Sequence, residues 1–239
     1  LKSAVPEPTI QTYAPNRYLC QKTSEKPELD GRLDKSFWEQ APWSEAFVDI
    51  EGEMRPLPHK QTRVKMLWDD EYFYFGAELI EDEIWATLTE RDSVIFHDND
   101  FEIFIDPDGD THHYYEFETA KPYPEDNWVW SPQGVINMHY PELWGYVFFT
   151  DTENQPLPMI PEDEEKKWQL RKIYYWERNY FAEHDSFTTD ISDELHEQLP
   201  VDWEIETTSR TFLASVKTTD GQKRMYIRED GRVWEESAK

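Results

Sequence analysis

Apolar and polar residues alternate at period two in several short stretches of this sequence, and no other feature constrains the fold as tightly. Thr62-Arg63-Val64-Lys65-Met66-Leu67-Trp68 alternates as a half-buried strand should, and Asp69-Asp70-Glu71 turns the chain. Tyr72-Phe73-Tyr74-Phe75-Gly76-Ala77-Glu78-Leu79 then runs back, completing a hairpin. A third strand is expected over 100–106, with Phe101, Ile103 and Ile105 on one face. Pro107-Asp108-Gly109-Asp110 carries turn chemistry, and 113–118 returns as the partner strand. Strands at this spacing with turns between them predict a mainly β chain, an antiparallel β-sandwich of jelly-roll or immunoglobulin-like kind.

Around that core the pattern changes. Residues 1–27 are polar with prolines at 6, 8, 15 and 27, so they read as a flexible lead-in. The sandwich is expected over 28–150, its last part an irregular Trp-rich stretch from 128 that ends in a strand over 144–149. Residues 151–161 read as a linker, with three prolines from 156 onward. A helix is expected over 162–184, opening on an acidic turn that suits the positive end of the helix dipole. Leu170, Ile173, Tyr174, Tyr180 and Phe181 form its apolar stripe, interrupted at Glu177. Strands over 211–217, 223–228 and 232–235 follow, with Asp220-Gly221 and Asp230-Gly231 as hairpin turns. Residues 162–239 thus form a small α+β appendage.

Composition narrows the functions. A formal net charge of −27 repels a phosphate backbone, and no basic stripe offsets it, so nucleic acid is excluded as a partner. No apolar run approaches the roughly 20 residues that a membrane-spanning helix needs. High acidity can signal disorder, but 11 Trp, 13 Tyr and 13 Phe demand burial or a binding face. The single cysteine, Cys20, rules out an internal disulfide and a four-thiolate zinc site. The chain begins at Leu1 rather than Met, and a leader is expected to have been removed.

Three ordered motifs carry a resemblance. Leu29-Asp30-Gly31-Arg32-Leu33-Asp34-Lys35-Ser36-Phe37-Trp38 resembles the opening of family 9 carbohydrate-binding modules. The segment 63–74, Arg-Val-Lys-Met-Leu-Trp-Asp-Asp-Glu-Tyr-Phe-Tyr, and Asp98-Asn99-Asp100-Phe101-Glu102-Ile103-Phe104-Ile105-Asp106 resemble the two that follow. The likeness covers about 28–120, and Trp128 to Phe149 resembles the family's last loop and strand. After Ala120, where the family continues through further strands, this chain passes almost directly into Lys121-Pro122-Tyr123-Pro124, an internal shortening. Some other element must then cover the face of Phe101, Ile103 and Ile105, and the appendage helix is the candidate. The appendage is a C-terminal extension to the family pattern.

The resemblance implies non-catalytic binding of plant-type polysaccharide chains or their reducing ends, outside the cytoplasm in the extracellular space or periplasm, in support of polysaccharide breakdown. It implies a sugar held between two aromatic rings, which here fall at Phe96 and Trp130, with Glu102 accepting hydrogen bonds from hydroxyls. Where the family places a rim arginine, this chain has Glu116. Ordinary packing is the competing reading for both rings. Family members often hold structural calcium, and Asp106, Asp108 and Asp110 are the carboxylates that invite it. Turn chemistry is the preferred reading of those three, so no metal ligand and no cofactor is assigned. No catalytic residue is assigned either. His112 and His113 are adjacent, face opposite ways on a strand and cannot share one metal. Two alternatives stay open: a glycoside hydrolase using two strand carboxylates, and a degenerate sandwich that docks another protein, which Glu116 favours.

Overall fold

The computed structural model describes residues 13–50, 55–90, 97–120, 128–130 and 139–238, without the side chains of 118–120 and 128–130. The described residues are mainly β, in the antiparallel-sheet class expected of a β-sandwich protein with a small helical part. They group into two compact units, one from 9–83 and 143–160, the other from 84–142 and 161–239.

The first unit holds a four-stranded sheet. Its strands are β1 (Arg17–Lys22), β2 (Thr62–Trp68), β3 (Phe73–Leu79) and β7 (Tyr146–Thr150), in the order β3-β2-β1-β7. The hairpin β2–β3 has the register Leu67↔Tyr74. On the face carrying that pair, Phe37 and Trp38 of the one-turn helix α1 (Ser36–Glu39) pack with Ala41, Leu67 and Tyr74. Gly76 permits this approach, since a Cβ there would lie 2.5 Å from Leu33 and 3.1 Å from the Trp38 ring. β1 departs from the expected flexible lead-in. It is an interior strand, parallel to both β2 and β7, with Tyr18 and Cys20 buried. Tyr18, Leu19 and Cys20 are consecutive apolar residues followed by Gln21 and Lys22, so the strand shows no period-two alternation in the sequence. The Cys20 thiol is fully buried, and burial pushes it up to about 12, so it is a packing group and not a nucleophile.

The second unit holds two antiparallel sheets. One runs β4 (Asp100–Ile105), β5 (Tyr115–Ala120) and β6 (Trp128–Trp130). The short strand β6 lies within the stretch expected to be irregular. The other runs β8 (Glu204–Thr207), β9 (Phe212–Lys217), β10 (Lys223–Arg228) and β11 (Val233–Ser237), in the order β11-β10-β9-β8. Helix α2 (Glu162–His184) ends at Asp185 in the left-handed conformation, and a short helix α3 (Asp193–Gln198) is capped by the Ser192 hydroxyl.

Helix α2 packs on its own sheet. Leu170, Ile173, Tyr174 and Tyr175 close a core with Phe212, Ala214, Val216, Met225, Ile227 and Val233. The expected cover for Phe101, Ile103 and Ile105 is therefore not what the stripe provides, because β9 and β10 offer α2 a continuous apolar surface of their own. Tyr180 and Phe181 lie half-buried past the end of that core. Glu177 interrupts the stripe as expected, yet it is fully buried: its Oε2 accepts the Thr188 N–H at 3.1 Å, and Oε1 has no partner. Burial pushes its carboxyl up to about 7.

Candidate functional site

Sheet β4–β5–β6 sorts its residues by register, because cross-strand partners share a face. The pairs Phe101↔Thr119, Ile103↔Phe117 and Phe117↔Val129 lie along one face, together with Ile105. The rows Glu102↔Glu118↔Trp128 and Phe104↔Glu116↔Trp130 lie along the other, together with Asp100. One face is therefore apolar, and its reverse collects carboxylates and aromatic residues. That is the mix a sugar requires, since ring C–H groups stack on aromatic faces while hydroxyls exchange hydrogen bonds with charged groups.

Of the residues expected at the site, Glu102 is half-buried in the middle of β4. Position 130 lies on β6 across from Glu116, two strands from β4, and its side chain is outside the described set. Phe96 also lies outside the described residues. Glu116 is buried, at 4% exposure, and not on an open rim. Asp100 shares Glu102's face; burial holds its carboxyl above the usual range, opposed by a hydrogen bond with Glu102.

Three residues at this face were not anticipated. The Phe104 ring lies 4.8 Å from His139 and meets Tyr114 edge-on at 6.2 Å. The Tyr114 hydroxyl and His139 Nδ1 are 2.5 Å apart. Burial lowers the His139 pKa, which disfavours the charged ring. Burial raises the Tyr114 hydroxyl, reinforced by the nearby Glu116, Asp106 and Glu142 carboxylates. Tyr114 lies in line with the alternation of β5, but His139 sits far away in an irregular stretch, where no period marks it.

The β4–β5 loop shows what the aspartates do. Asp106 accepts the Gly109 N–H at 3.0 Å on Oδ1 and the Thr111 N–H at 2.8 Å on Oδ2. Asp110 accepts the His112 N–H at 2.7 Å on Oδ1 and Arg232 Nε at 3.1 Å on Oδ2. This is turn chemistry, and it tolerates the left-handed φ of Thr111, 64°, and of His113, 54°. The two histidines thus precede β5 and do not begin it; His112 is buried and His113 exposed. Ligand oxygens of Asp106, Asp108 and Asp110 lie within 4.8 Å of one another, close enough for one cation. Arginine nevertheless supplies the positive charge. Arg232 pairs with Asp110, and the buried Arg171 guanidinium interacts with Asp106, Asp110 and Glu142. Those donors and cations suit the carboxylates as a turn and do not suit a calcium cage. Burial, reinforced by Asp108 and Asp110, pushes the Asp106 carboxyl up to about 6.

Arg171 also fixes the loop to the appendage. From α2 its guanidinium donates to the Thr111 hydroxyl in the β4–β5 loop and to the Gly231 carbonyl in the β10–β11 turn. The Val233 N–H donates to the Asp110 carbonyl at 3.2 Å. Glu142, in a 3₁₀ turn at Pro141–Leu143, has both carboxylate oxygens sealed from solvent without a hydrogen bond. Burial raises its pKa, with Arg171 and Arg178 opposing.

The carboxylate-and-aromatic face thus carries the side-chain chemistry that a polyhydroxylated ligand would need. Residues 29–123 match the family model described as carbohydrate family 9 binding domain-like, so that segment is similar to this family. Among solved structures, the chain is similar to a carbohydrate-binding module of family 9 from Caldicellulosiruptor kristjanssonii, in complex with cellotriose. Identity is 13% and the TM-score 0.41, with 61% of this chain and 100% of that one covered. No curated protein matches.

Proposed function

We propose that this carbohydrate-binding chain takes plant-type β-glucan or xylan chains, or their reducing ends, on the carboxylate-and-aromatic face of β4–β5–β6. In this reading Trp130 and Phe96 supply the rings that stack on the sugar, and Glu102 accepts hydrogen bonds from its hydroxyls. The observation that carries the reading is the shared face: Glu102, Glu116 and position 130 occupy adjacent rows of the sheet that contains the family's third motif. The protein acts without turnover, outside the cytoplasm in the extracellular space or periplasm, and serves to hold a polysaccharide that other proteins degrade. Isothermal titration against cellotriose, xylotriose and unrelated oligosaccharides tests this. The expected result is saturable binding of β-glucan or xylan fragments, with no new reducing ends released. Binding of none of the panel, or release of reducing sugar, overturns it.

A further inference from the structure

We propose that the appendage carries a second saccharide subsite, in a cleft of about 450 Å³ between the C-terminal half of α2 and the β10–β11 turn, and that it takes one neutral pyranose ring. The proposal goes beyond the function above, because it rests on the cleft's own lining. Tyr174, Phe181 and Phe187 give the aromatic wall, with the Phe181 and Phe187 rings 4.6 Å apart and inclined by 31°. Arg178 and Arg210 bring guanidinium groups, and Glu229 brings a carboxylate across from them.

The polar groups of the cleft keep part of their hydrogen-bonding capacity free. Arg178 gives one N–H to the Tyr174 hydroxyl and acts on Glu142 through its charge, but makes no close ion pair among the described residues. A guanidinium has five N–H donors, so most of its capacity faces the cleft unused. Arg210 lies over the Phe181 ring at 5.7 Å and reaches Asp185 at 3.3 and 3.4 Å, an exposed and readily exchanged pair. Glu229 acts on Arg228 through its charge but makes no hydrogen bond or close ion pair among the described residues, whereas its neighbour Asp230, which also lines the cleft, is held by Arg228 at 2.5 Å.

Charge selects the occupant. An anion would meet Glu229 and the field of a protein with net charge −27, and a cation would meet two guanidinium groups. A neutral ring of hydroxyls is donor and acceptor at once, so it satisfies both signs, and its C–H face suits the Phe181 and Phe187 rings. The volume lies at the small end of ligand sites, which fits one sugar unit of a disaccharide such as cellobiose and not a long chain segment.

A titration of the ¹⁵N-labelled full chain with cellobiose tests this, following backbone amides and the Nε–H resonances of Arg178 and Arg210. The expected result is saturable shifts at Arg178, Arg210 and Glu229, separate from those on β4–β6. The Arg210→Ala, Glu229→Gln double variant, which touches no core residue, should lose the appendage shifts at least tenfold in apparent affinity and keep the others. Shifts confined to β4–β6 overturn this subsite and leave the proposed function standing. Shifts confined to the appendage support the subsite and remove the β4–β6 site. Shifts induced by glucuronate or inorganic phosphate but not by cellobiose overturn it in favour of an anion site. Cellobiose shifts that persist unchanged in the double variant, or no shifts anywhere, also overturn it.

Discussion

Sheets β4–β5–β6 and β8–β11 belong to the same compact unit and differ in what their faces are for. The inward positions of β9 and β10, Ala214, Val216, Met225 and Ile227, have no exposed surface, and α2 seals them. Every residue of β4 is only half-buried, and one face of its sheet is given to carboxylates and rings. A fully buried Ile or Met contributes about 1.5–3 kcal/mol, whereas a half-exposed one contributes much less. The appendage is therefore where stability is concentrated, whereas the carboxylate-and-aromatic face of β4–β5–β6 keeps Glu102 and Phe104 half-buried beside the buried Glu116 and Tyr114. Arg171 is the tie between them, reaching from the closed core to the β4–β5 loop.

Breaking that tie should have the largest effect. Arg171→Ala removes the buried guanidinium beside Glu142 and Asp106 together with its bonds to Thr111 and Gly231, leaving Asp110 to Arg232, and should cost about 3–5 kcal/mol in urea unfolding. A loss below about 1 kcal/mol would mean that the loop stands by itself. Next, Met225→Ala should destabilise by about 2–5 kcal/mol, and Ile103→Ala on β4 by roughly 1 kcal/mol, measured in the same way. Equal losses would erase the distinction between the two sheets.

The third prediction concerns pH. Burial raises the Glu177 carboxyl to about 7 in the fold, above its unfolded value, so the folded state binds the proton more tightly. The stability it contributes is complete below the unfolded pKa, near 4.5, and is lost as pH rises through about 7. Asp106, at about 6, acts in the same direction. Thermal stability should fall between pH 5 and 8, and Glu177→Gln should flatten the fall and stabilise at pH 8 by on the order of 1–3 kcal/mol. A variant less stable than the parent at pH 8 would show that the charged form is the favoured one. The smallest effect is expected at the surface. Asp185→Asn keeps a residue tolerant of the left-handed φ of 56° and removes the long, exposed pair with Arg210, so the thermal midpoint should stay within error.

The regular elements were legible wherever period and length agreed. β2, β10 and α2 begin and end where the alternation and the helical stripe predict, because each buries a face that its sequence marks. β1 was not, since its three consecutive apolar residues give no period-two signal and the pairing is parallel and non-local. β8 and α3 are four and six residues long, each with one buried or half-buried aliphatic at its centre, Ile205 and Leu195. At the site, Glu102 could be named from its motif, and its face follows from alternation. The Tyr114–His139 contact and the Arg171 tie join residues 25 and 60 positions apart, and such pairings leave no local period. Arg171 also follows Leu170 directly in an apolar stripe, where sequence suggests a solvated edge and the fold buries it.

The division between a sheet proposed to bind and a sheet that stabilises is tested most directly by Trp130→Ala, followed by cellotriose titration and urea unfolding of the same preparation. The account predicts an affinity loss of about thirtyfold, near 2 kcal/mol, with an unchanged unfolding midpoint. Unchanged affinity, or a midpoint that falls along with it, would contradict the account.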